Sequence, residues 1–128
     1  MQKKLTIWDF KWVIVWTILL LVLSSMAGIQ LPDISLFEPD KLAHFGVYGI
    51  YVFLFFIVFA KAGKDSWTTR IGASIWCSFC GFLMEVMQYK FFPGRYFEMR
   101  DNVANISGIL FTLIIFSIFK NSFSKLYE

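Results

Sequence analysis

The chain has 128 residues, of which 58% are hydrophobic and 16% charged. With a mean hydropathy of +0.64, it is far more apolar than the roughly 45–50% of a soluble domain, which excludes a soluble globular fold. The net charge of +3 does not make a nucleic-acid surface, because the 12 Lys and Arg residues are spread over loops and chain ends, not gathered on one basic face.

Four apolar runs, at about 12–28, 42–60, 71–87 and 103–119, each approach the length of about 20 residues that a helical span requires. They predict an all-α, four-transmembrane-helix bundle forming one domain over 1–128, with no room for a soluble domain beside it. The first run follows Lys3 and Lys4. With Ser25 and Ala27 behind it, it also carries the outline of a signal peptide, although the run is longer than most such cores. Pro32 and Pro39 break the chain before the second run, Gly63 after it, and the pair Pro93-Gly94 before the fourth.

Lys3, Lys4, Lys11, Lys61, Lys64, Arg70, Lys120 and Lys125 hold eight of the 12 basic residues and fall at the two ends and in the second connection. Basic residues in short loops stay on the cytoplasmic side, so both termini are expected inside. The remaining connections then face outward, the first with Asp33, Glu38, Asp40 and Lys41, the third with Lys90, Arg95 and Arg100.

Ionisable groups inside or at the edge of a membrane are costly, so their placement is informative. Asp40, Lys41 and His44 open the second run, Glu85 and Gln88 close the third, and Asp101 and Asn105 open the fourth. All three sets fall on the outer side, while the cytoplasmic half of each helix looks free of polar groups. Asp40 and His44 are four residues apart and Glu85 and Gln88 three. Asp101, Asn105 and Gly108 lie at i, i+4 and i+7, so each set shares one helical face. Lipid cannot satisfy these groups, so the stripes are expected to face one another in a pocket at the outer mouth. The small-xxx-small pairs Ser74/Ser78, Cys77/Gly81 and Ala104/Gly108, with Gly46 and Gly49, would let the helices pack closely. The 16 Phe, five Trp and five Tyr are expected on lipid-facing surface, with Trp8, Trp12, Trp67 and Tyr96 at the interfaces.

The order Asp40-Lys41-x-x-His44-Phe45, Glu85-x-x-Gln88, Pro93-Gly94-Arg95-x5-Asp101-x3-Asn105-x2-Gly108 resembles the VanZ-like family of small bacterial membrane proteins over about 40–110. The resemblance implies a multi-pass protein of the bacterial envelope. It also implies an association with tolerance of glycopeptides such as teicoplanin, and no settled chemistry.

Two readings of these residues stay open. In the first, Asp40, Lys41, Gln88, Arg95 and Asn105 bind an anionic lipid or a lipid-linked cell-wall intermediate. Arg95 would hold the anion in two-point fashion, helped by the helix N-termini. Arg95 as an internal ion-pair partner of Glu85 or Asp101 is the plainer alternative. In the second reading His44, with Glu85 and Asp101, works as acid and base in a membrane transferase or hydrolase. A small transporter is the remaining option and would need a polar path through the inner halves as well.

Asp40 and Asp101 also suit helix N-caps. His44, Glu85, Asp101 and Asp40 are chemically able to bind a metal, but the spacing shows no ligand motif and no metal is expected. Cys77 and Cys80 read as packing residues in an apolar helix. No cofactor motif is present, and a homo-oligomer is compatible with the sequence.

Overall fold

The computed structural model describes residues 2–25, 39–94 and 96–126. The chain is all-helical there, with four helices long and apolar enough to cross a membrane, so it is a multi-pass membrane protein. They are α1 (Lys11–Ser25), α2 (Pro39–Lys61), α3 (Trp67–Phe91) and α4 (Met99–Phe123). A 3₁₀ turn, Ile7–Phe10, leads into α1 and lengthens that span to 19 residues.

Each helix except α1 extends past its apolar run at both ends. Hydropathy marks the part that can sit in hydrocarbon, whereas the helix continues until a cap or breaker stops it. Helix α3 begins where the Ser66 hydroxyl accepts from the Thr69 amide. Helix α2 ends where Gly63 adopts φ +67°, which lets the amides of Gly63 and Lys64 reach back to the carbonyls of Ala60 and Phe59. Gly94 at φ +82° makes the expected turn before α4. The expected end of the first run at Gly28, and Pro32, Asp33 and Glu38, lie outside the described residues.

Helix α2 is central. It packs most closely on α4 and also touches α3 and α1, and α1 in turn touches α3. Helix α1 is part of the bundle: the Trp16 indole N–H donates to the Val47 carbonyl at 3.0 Å, and the Thr17 and Tyr51 hydroxyls are 3.0 Å apart. In lipid, helices associate through such hydrogen bonds and through close packing, because burial of apolar surface gives little drive.

The glycines fix the approach of α2 to α4. A Cβ on Gly108 would overlap the Phe45 carbonyl oxygen, and one on Gly49 would lie 2.9 Å from Thr112 Oγ1. Gly46, by contrast, has open space around it and is not a packing contact.

The aromatic load divides in a way that departs from the sequence expectation. Trp8, Trp12, Trp67 and Tyr96 are exposed, as an interfacial belt requires. Phe56 and Phe116 are fully buried and form an interior aromatic layer with Phe53 and Phe123, with ring centroids 5.1 to 6.0 Å apart. The facing rings fill this part of the core.

The basic end of the bundle is not free of buried polar groups. Arg70 sits in the first turn of α3 and is buried. Its Nε and Nη2 donate to the two Asp65 oxygens at 2.6 and 2.8 Å, and its Nη1 donates to Ser117 Oγ at 3.0 Å. Its guanidinium also lies over the rings of Trp67 and Phe116, and Lys120 Nζ reaches Asp65 at 2.8 Å. The same end gathers the N-terminal segment, since the Lys3 amide donates to the Ala62 carbonyl. Counted along the chain, Arg70 is one loop cation among several; only the fold of the α2–α3 connection onto α4 turns it inward.

Candidate functional site at the mouth of the bundle

At the other end, the start of α2, the end of α3 and the start of α4 come together. Their polar residues are buried there: Glu85 and Asn105 each to 2% exposure, with Gln88, Asp101 and Asn102 nearly as deep. Glu85 lies three residues before Gln88, one turn along α3. Gln88 Nε2 donates at 3.3 Å to the Ser24 carbonyl on α1.

The glycines that pack the bundle also assemble this site. Because Gly108 lets α4 lie against the backbone at Phe45, His44 meets Asn105, with Nδ1 2.9 Å from Oδ1. Gly81 on α3 leaves the space that the Asn105 amide and the Tyr48 ring occupy; a Cβ there would stand 2.9 Å from Asn105 Nδ2 and 3.1 Å from Tyr48 Cε1. The Nδ2 atoms of Asn102 and Asn105 have no hydrogen-bond partner among the described residues. A buried amide in that position is unusual and favours sites that take a further group.

Lys41 lies at the centre of an acidic ring. Its Nζ contacts Asp40 Oδ2 at 3.1 Å, Glu98 Oε2 at 2.7 Å, and Asp101 Oδ1. Lys41 therefore does not stand ready for an external anion, as the sequence suggested. Its ammonium holds three carboxylates together, which lowers their mutual repulsion. The second oxygens of two of them, Asp40 Oδ1 and Asp101 Oδ2, each lie 3.7 Å from His44 Nε2.

Neither aspartate is an N-cap. Asp40 is the second residue of α2 and Asp101 the third of α4, so both offer negative charge to a first turn without capping it. Glu98 occupies the N-cap of α4 but makes no side-chain cap bond, because its carboxylate is turned to Lys41.

Of the predicted residues, the structure brings Asp40, Lys41, His44, Asp101 and Asn105 into one contact set, with Glu85 and Gln88 buried at the same end. Arg95 lies outside the described residues, and Arg100 is exposed at the start of α4. Cys77 is buried and Cys80 partly so, both as free thiols within α3, in keeping with packing.

Sequence reading missed Glu98 and Asn102. Asn102 follows Asp101 directly and so falls off the Asp101/Asn105 stripe. It is buried because α4 lies against both α2 and α3, which covers two of its faces. Glu98 carried no signal beyond its place beside the turn.

Chemically, the mouth offers one imidazole held by an amide, two carboxylates facing it, and buried amide donors, open to water at Asp40, whose side chain is 56% exposed. An apolar groove lined by Phe10, Phe55, Phe59 and Trp76 lies at the opposite end, away from this chemistry. No family profile, curated protein or solved structure matches the chain.

Proposed function

We propose that the chain is a VanZ-like integral membrane protein of the bacterial envelope. It engages the anionic head group of a membrane lipid, or of a lipid-linked cell-wall intermediate, at an outward-facing mouth. The observation that carries this reading is the burial of Glu85, Gln88, Asp101, Asn102 and Asn105 at the end of the bundle that holds His44. Intramembrane polar clusters are costly to maintain and belong to substrate or ion sites.

With Lys41 engaged by carboxylates, recognition of the anion falls to Arg95, placed by sequence beside the turn, and to the amides of Asn102 and Asn105. The basic residues of the termini and of the α2–α3 connection, gathered at the far end, favour a cytoplasmic position for that end. A link to glycopeptide tolerance belongs to the same reading, through the family resemblance.

A second reading, acid–base catalysis on a lipid-linked substrate, is favoured by one feature. The Nδ1 contact to Asn105 orients His44 and leaves Nε2 facing the opening, as a proton-transfer group requires.

One experiment addresses both. Native mass spectrometry of the detergent-extracted protein is expected to show a co-purifying anionic lipid on the wild type, depleted in Arg95→Gln and retained in a control such as Lys125→Gln. A lipid of altered mass released on incubation, and absent with His44→Gln, would select the catalytic reading. Equal lipid on the wild type and Arg95→Gln would remove Arg95 from the account, and no bound lipid in any sample would remove head-group binding.

A further inference from the structure

We propose that His44 Nε2, Asp40 Oδ1 and Asp101 Oδ2 form a three-ligand site for a divalent transition-metal cation such as Zn²⁺ or Mn²⁺. Asp40 in the first turn of α2, His44 one turn further along it and Asp101 in the first turn of α4 supply the three side chains, and one ligand atom from each lies within 4.8 Å of the others.

The carboxylates are divided between two tasks. Asp40 Oδ2 and Asp101 Oδ1 face Lys41, while the opposite oxygen of each is turned to the imidazole. Lys41 therefore sets the orientation of both carboxylates without occupying the oxygens that would bind the cation.

The imidazole is oriented in the way metal-bound histidines are. With Nδ1–H donating to Asn105 Oδ1 at 2.9 Å, the lone pair of Nε2 points between two carboxylate oxygens. Such an outer contact fixes the tautomer and ring plane of a metal ligand. Two carboxylate oxygens facing Nε2 call for a positive group between them, either a proton on that nitrogen or a bound cation.

Distance separates the two possible occupants. A proton on Nε2 would draw one oxygen to roughly 2.7–3.2 Å, yet both stand at 3.7 Å. A cation bound at about 2.0–2.2 Å to nitrogen and oxygen in tetrahedral geometry sets its ligand atoms roughly 3.3–3.6 Å apart, so the 3.7 Å separations close onto it with a small movement of the side chains. One imidazole with two carboxylates suits Zn²⁺ or Mn²⁺, and three protein ligands leave a coordination position open. Asp40 is exposed, which provides the route in.

The inference does not rest on head-group recognition, and its test contains no lipid phosphate. Untagged protein in a phosphate-free detergent micelle, stripped with a chelator and then dialysed, is titrated with Co²⁺ as an optical probe and with Zn²⁺ in competition. The expected result is one equivalent of Co²⁺ per chain with visible absorption bands, displaced by Zn²⁺. Asp40→Asn, a change at an exposed side chain that leaves the helix intact, should weaken binding by at least about tenfold, as should His44→Gln. Thermal melting of each variant verifies that it is folded. No stoichiometric binding to folded wild type, or unchanged affinity in both folded variants, would overturn the site.

Discussion

Gly108→Ala is expected to destabilise the protein and open its mouth, although alanine is the better helix former. A Cβ at this position would overlap the Phe45 carbonyl oxygen and lie 2.8 Å from the carbonyl carbon. The obstacle is backbone, so no rotamer change relieves it, and α4 has to move away from α2. Overpacking of this kind costs roughly 1–3 kcal/mol and at times more. The better helix propensity of alanine returns about 1 kcal/mol, so a net loss of up to about 2 kcal/mol is expected. Gly46→Ala is the internal control. Open space surrounds Gly46, so only the propensity gain remains and stability should rise by up to about 1 kcal/mol. Thermal unfolding of both variants in the same detergent separates the cases. Because Gly108 also brings His44 to Asn105, Gly108→Ala should lower ligand occupancy at the mouth, whereas Gly46→Ala should not.

The second large effect is expected at the other end. Asp65→Ala removes the two-point partner of a buried guanidinium, and breaking a buried ion pair in this way costs about 3–5 kcal/mol. Converting the pair to apolar groups, Asp65→Ala with Arg70→Met, should recover a large part of that loss, because the uncompensated charge is then gone.

The same pair has a pH signature. Hydrogen bonding from Arg70, with Lys120 adding to it, holds the Asp65 carboxyl below the usual carboxylate range. Its stabilising contribution is therefore fully present above the ordinary aspartate pKa of about 3.9. It is lost as pH falls from there through the depressed folded-state value. Melting curves taken from neutral pH downward should show the gap between wild type and Asp65→Ala closing only below about pH 4; a gap that does not change with pH would contradict this account of Asp65.

How much of this was legible in the sequence differs from one end of the bundle to the other. The four spans follow from apolar runs of sufficient length, and the meeting of His44 with Asp101 and Asn105 follows from helical periodicity combined with the costs of polar groups in lipid. The role of Gly108 was visible as a small-residue spacing. Its identity as the contact point, with Gly46 left idle, required knowing how α2 and α4 cross.

Lys41 shows the limit of counting charges. Its sign and position suited an anion ligand, but Glu98 and Asp101, far along the chain, converge on it and reverse that meaning. The metal-ligand geometry was hidden for a related reason: Asp40 and His44 lie one turn apart on one face of α2, while the third donor arrives on another helix. Arg70 was hidden because a loop cation and a buried one look alike until the Asp65 connection folds onto α4. The interior aromatic layer escaped notice because Phe suits lipid and core equally well.

The central claim is an outward-facing polar mouth, and sidedness is its most direct test. With Cys77 and Cys80 replaced by alanine, single cysteines are placed at Tyr96, exposed near the mouth, and at Lys64, in the α2–α3 connection at the basic end. Intact cells are then treated with a membrane-impermeant thiol reagent. The account predicts labelling of Tyr96→Cys from outside and of Lys64→Cys only after the membrane is opened; the reverse pattern would place the mouth in the cytoplasm and contradict the claim.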